Sequence, residues 1–131
     1  MSGFVALHRS IFEHPVFDNE PFTQREAWVW LIAEAAWKPR RARVGNGIYE
    51  LKRGQLVHAV RYMAKAWQWE ATRVWRFLKR LEKHGMIATV AQRDATQVTI
   101  CNYNKYQEQS NTDATPTATA AQQQRNKEEQ L

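Results

Sequence analysis

Between Glu70 and Gly85 the apolar and charged positions of the chain separate cleanly, in the run EATRVWRFLKRLEKHG. Wound at about 100° per residue, Ala71, Val74, Phe77, Leu78 and Leu81 fall in one sector, and Thr72, Arg73, Arg76, Lys79, Arg80 and Lys83 in the opposite one. The spacing predicts a helix with one packing face and one basic face. Gly85 closes it as a left-handed cap, with Lys83 and His84 beside the negative end of its dipole. Ahead of it, Met63, Ala64 and Trp67 lie at packing spacing in a short helix over Arg61 to Trp67, and Gln68-Trp69 make a turn. Behind it, Met86 to Val90 and Gln97 to Cys101 are β-prone runs joined by a charged loop, the form of a wing.

The upstream pattern is different. Thr23-Gln24-Arg25-Glu26 has the form of a capping box, with Phe22 placed as a hydrophobic staple towards Ala27. The apolar run that follows predicts a helix from Thr23 to Trp37, stopped by Lys38-Pro39. It is apolar all round, which calls either for a second copy of the chain, as a homodimer, or for burial on three sides within one copy. Gly3 to Phe17 reads as an arm with a short helix around Arg9 to Glu13, ended by His14-Pro15. Gly45-Asn46-Gly47, between Arg40 to Val44 and Ile48 to Lys52, supplies the positive-φ residues of a reversal, so a β-hairpin or a flexible basic loop carries Arg40, Arg41 and Arg43. Arg53-Gly54 is a second turn and Gln55 to Ala59 a short strand. From Gln109 onward no large apolar residue appears until Leu131, which predicts a disordered Gln/Thr/Ala-rich tail over 110–131 after one domain over 1–109. The expected class is mainly α with a small β-wing, a winged helix-turn-helix.

Charge sharpens this picture. The net charge is +6, but Lys38 to Lys83 holds thirteen Lys or Arg against only Glu50, Glu70 and Glu82. Such a concentration is either a solvated basic surface or a patch for a polyanion, and the one-sided spacing on the helix favours the polyanion. Cys101 is the single cysteine, so no intrachain disulfide forms and no Cys-rich metal grouping exists; a reducing bacterial cytoplasm, nucleoid-associated or in a phage-infected host, is expected. The longest apolar run is interrupted by Glu34 and too short to span a bilayer, so no membrane partner is expected. His8, His14, His58 and His84 lie on separate elements without ligand spacing, and no Gly-rich phosphate loop is present. No cofactor, metal or catalytic residue is assigned, and the chain is expected not to be an enzyme.

Three phrases, LKRGQLVHAVRYMAKAW, VWRFLKRLEKHGMI and VTICNYNKYQ, resemble the amino-terminal winged-helix domains of phage and prophage replication proteins, the replisome-organiser and DnaD-like group. The likeness runs from about Gly3 to Gln107. It implies a GQ turn before the first helix of the helix-turn-helix, an "RLEK-GMI" phrase ending the recognition helix, and a closing phrase after the wing. It also implies binding at a replication origin, with a replication helicase or its loader as a further partner. In that group a second domain follows the linker, whereas here 22 polar residues follow. Ala59, Gln68 and Glu70 depart from the usual cap and turn residues, and Glu70 would sit near phosphates or select for a cytosine amino group.

The residues then divide by position. Thr72, Arg73 and Arg76, in the first turns of the basic helix, are the expected base readers in double-stranded DNA. Arg61, Lys65, Lys79, Arg80 and Lys83 are expected on phosphates, and Arg93 and Thr96 on the wing, with Arg93 reaching into a minor groove or simply solvated. Most of the six tryptophans are expected in the core rather than as stacking platforms for single strands, with Trp75 at the border of the apolar face. Two other functions fit the same surface: a small transcription regulator, and an adaptor whose basic face binds an acidic protein.

Overall fold

The computed structural model describes residues 3–107. A 3-10 turn at Arg9–Phe12 is followed by α1 (Gln24–Glu34), β1 (Arg40–Val44), β2 (Gly47–Leu51), β3 (Gln55–His58), α2 (Val60–Trp67), α3 (Ala71–Lys83), β4 (Ile87–Ala91), β5 (Thr96–Ile100) and α4 (Tyr103–Tyr106). Of the described residues helix takes 38% and strand 23%, the strands in two small antiparallel sheets, so the class is mixed α/β and the expectation of a mainly α fold is corrected. The difference arises at 40–51, where the basic segment left open as hairpin or loop pairs into strands, with Arg41 opposite Glu50 and Arg43 opposite Ile48. The order β3, α2, turn, α3, β4, β5 runs through the other sheet, in which β5 lies between β3 and β4.

One core joins these elements. Leu31 and Trp30 of α1 meet Met63 and Trp67 of α2, Val74 and Leu78 of α3, and Leu56, Ile87 and Val98 of the three-stranded sheet. Burying a side chain such as Leu78 contributes roughly 1.5–3 kcal/mol. A smaller cluster of Ala36, Leu51, Val57 and Ala95, with Ala42, Val44 and Tyr49 against it, packs the β1–β2 hairpin onto β3 and the loop of the wing. A Cβ on Gly45, at the hairpin tip, would lie 3.7 Å from Asp94 Oδ2 at the wing tip, so the two tips are in contact.

The capping box of α1 forms: Glu26 N–H donates to Thr23 Oγ1, and Thr23 N–H to Glu26 Oε1. The helix ends earlier than its apolar run. Ala35 turns extended, and Ala36 N–H donates to Gln55 O at 2.8 Å while Ala36 O accepts from Gly54 N–H at 2.7 Å. Small apolar residues are buried equally well in either conformation, and here the backbone of 54–55 supplies the hydrogen bonds that end the helix. Trp37, expected inside the helix, is 55% exposed. From Ala27 to Glu34 no residue is fully exposed. Trp28 packs edge-on to Tyr106 at 5.6 Å and Trp30 edge-on to Trp67, so burial within one copy accounts for the apolar character of α1.

The phrases carrying the family resemblance meet in space. The Arg53 side chain donates to Trp37 O, to Asn104 Oδ1 at 2.7 Å and to Gln107 O at 3.0 Å, and lies 4.8 Å from the Tyr103 ring centre. Burial lowers its pKa from the ordinary arginine value, against an opposing pull from Tyr103. Gly54, at φ +89°, leaves only 3.0 Å between an added Cβ and Tyr103, so this turn requires glycine on both counts. Gln55 Nε2 donates to Thr99 Oγ1. Arg53-Gly54-Gln55 and the Thr99 to Gln107 stretch are therefore partners in one clamp that closes the domain.

The expected tail, 110–131, lies outside the described residues. Among those described, no helix is long and apolar enough to cross a membrane.

Candidate nucleic-acid interface

α3 sits on α2 through Val74, Phe77, Leu78 and Leu81, all buried. Its start is set by a turn in which Gln68 adopts φ 58°, a left-handed conformation held by a residue with a Cβ. Gln68 Nε2 donates to Asn19 Oδ1 at 2.6 Å, which helps hold the turn. Trp69 is buried there, and its indole N–H donates to Phe22 O at 2.8 Å; Phe22 N–H in turn donates to Trp67 O. These bonds fasten the start of α1 to the helix-turn-helix. Glu70 is the N-cap, exposed, with no side-chain capping bond. Ala71, expected on the packing face, is exposed.

Thr72, Arg76 and Lys83 form the crest of α3, opposite the buried residues, with Lys79 on its wing side, and all are exposed. The two flanks differ. On the side of α1, Arg73 and Arg80 join Arg76, Gln24, Trp69 and Phe77 around an open cleft of about 360 Å³. The Arg73 guanidinium carbon stands 3.8 Å from the Trp69 ring centre, and that of Arg80 stands 5.9 Å from Phe77. No acidic residue lines this cleft. Arg73, expected to read bases, is thus laid sideways on an indole rather than standing on the crest.

On the side of the wing, the positive charge is already answered. Lys79 Nζ pairs with Glu82 Oε1 at 3.0 Å and lies 4.5 Å from the ring centre of Trp75, which is 43% exposed. Glu82 Oε2 accepts the Thr89 N–H at 2.9 Å, and Thr89 Oγ1 donates to the same carboxylate. Hydrogen bonding from the Thr89 backbone first, then from Lys79, holds the Glu82 carboxyl below its ordinary pKa, with burial acting the other way. This latch joins α3 to β4.

The remaining expected contacts are scattered. Arg61 and Lys65 are exposed on α2, and Arg93 is exposed at the wing tip. Thr96, expected on the wing, starts β5 opposite Ala91 and His58 but is only 7% exposed; its side chain packs in the sheet and is not open to a partner. Arg40 donates to Glu34 O, Arg41 pairs with Glu50 at 3.4 Å in solvent, and Arg43 is exposed on the same hairpin. The pattern of the sequence missed the roles of Trp69 and Glu82. Glu82 stood at i+3 from Lys79, a helix pairing distance, and so was open to detection; the Trp69 platform follows only from the folded turn.

No protein-family model, curated protein or solved structure matches this chain.

Proposed function

We propose that this chain binds double-stranded DNA, with the crest of α3 in the major groove and Thr72 and Arg76 at the base edges. The observation that carries the reading is the exposed row Thr72, Arg76 and Lys83, flanked by Arg73 and Arg80, on a helix whose opposite face is wholly buried. Among the described residues, the only acid paired with this row is Glu82, which takes up Lys79. A helix of about the length of α3 fits the major groove, and arginine there makes a bidentate contact to guanine. The resemblance of the three phrases to phage replication proteins supports a role at a replication origin, with a helicase or its loader as the next partner.

The test is sequencing of host and phage DNA fragments retained by the purified chain at near-physiological salt, beside a Thr72→Ala/Arg76→Ala variant. Recurrent sites in a replication region, lost in the variant, are the expected result. Sites at promoters would make the chain a transcription regulator instead. No enrichment over the variant would overturn sequence-specific binding and leave the basic face to an acidic protein partner.

A further inference from the structure

We infer that the cleft between α3 and the start of α1 is a seat for a DNA backbone phosphate, and that Arg73 joins Arg80 in gripping that phosphate instead of reading bases. The inference rests on the proposed DNA binding and assigns its division of labour. The guanidinium groups of Arg73 and Arg80 lie over two buried aromatic side chains that floor one cleft, with Arg76 only at its crest-side rim and no carboxylate in its lining. The Arg73 guanidinium carbon lies over the Trp69 ring, 3.8 Å from its centre, and Trp69 is itself locked by its bond to Phe22 O. A guanidinium held over a ring keeps its N–H fork free at its edges, and that fork matches the paired oxygens of a phosphate. The contact with Trp69 also holds the group on the flank of the helix. The base edges then fall to Thr72 and Arg76 on the crest.

Lys79 provides the internal contrast. It sits at the same helical depth as Arg80 but is paired with Glu82, so it has little charge to offer a second phosphate.

The experiment measures equilibrium binding of the full chain to a pool of random duplexes across a salt series, with sequencing of the bound fraction, for wild type and for Arg73→Ala, Arg80→Ala, Arg73→Lys and Arg76→Ala. Because residues 73, 76 and 80 are exposed, circular dichroism is expected to show all variants folded. Each lost phosphate contact flattens the log affinity against log salt slope by about 0.9. Arg73→Ala and Arg80→Ala should each show that flattening with the selected sequences unchanged. Arg73→Lys should keep most of the slope, since the charge remains, yet bind more weakly because the stacked fork is lost. Arg76→Ala should alter the selected sequences. A changed base preference in Arg73→Ala, or an unaltered salt slope in it, overturns the phosphate seat while DNA binding stands. Failure of the wild type to bind any duplex at low salt overturns the proposed function itself, and the seat with it.

Discussion

The two flanks of α3 carry similar residues in different states. Towards α1, Arg73 and Arg80 lie over buried aromatic rings in a cleft lined by no acid; towards the wing, Lys79 lies over the half-exposed Trp75 and is closed by Glu82 and Thr89. A wheel drawn from the sequence gives all three cations one rank. The structure assigns one flank to presenting charge and the other to binding the helix to the sheet. What differs is the neighbour: the α1 side offers the buried rings of Trp69 and Phe77, and the wing side offers the backbone N–H of Thr89, which recruits Glu82 and through it Lys79.

The harshest way to break this contrast is to remove the floor of the open flank. Trp69→Ala deletes a buried indole and its bond to Phe22, and should cost about 3–5 kcal/mol of stability in denaturant melts; a loss under about 1 kcal/mol would show that the turn does not depend on it. On the crest, Arg76→Ala should cost about 1–3 kcal/mol on a selected duplex and much less on a random one, measured by fluorescence anisotropy. Equal losses on both duplexes would place Arg76 on the backbone.

The closed flank predicts smaller effects. Glu82→Gln should release Lys79, steepening the salt dependence of DNA binding by up to about 0.9 in slope, while Lys79→Ala should change that slope less than Arg80→Ala does. Reversal of that order would show the latch to be open when DNA is bound. The last effect is one of pH. The Glu82 carboxyl is held below its ordinary value of 4.5 in the folded chain, so its contribution to stability is complete above that value and is lost as the pH falls through the lower, folded one. Thermal melts of wild type and Glu82→Gln should therefore differ at neutral pH and converge in acid. A constant difference across that range would remove the carboxylate from the account.

Much of the local structure was legible in the chain. The capping box at Thr23, the reversal at Gly45, the limits of α3 and the left-handed Gly85 all follow from short-range rules about caps and positive φ, although Asn46 and Gly47, expected at positive φ as well, do not adopt it. What escaped depends on neighbours distant in sequence. The run through Ala35-Ala36-Trp37 reads as helix because periodicity cannot separate buried helix from buried extended chain, and only residues 54–55 decide it. Thr96 does stand on the wing, in β5, but its burial comes from β3 on one side and β4 on the other, which the local sequence does not show. The basic face was visible as a set, but its partition into crest and two flanks required knowing where α1 and β4 stand. Arg53-Gly54 and Asn102 to Gln107, which read as family signature, prove to be one clamp that holds the end of the domain to its middle.

The contact between the hairpin tip at Gly45 and the wing tip at Asp94 bears on the cost of recognition. A free-standing β-loop must surrender conformational freedom when it meets a surface, at a cost comparable to ordering several side chains. Here the cluster of Leu51, Val57 and Ala95 meets that cost during folding, so the loop bearing Arg93 is already set before any ligand arrives. Loosening the buttress would then slow association without removing a single basic group, and the kinetics of encounter would register a residue that never touches the partner.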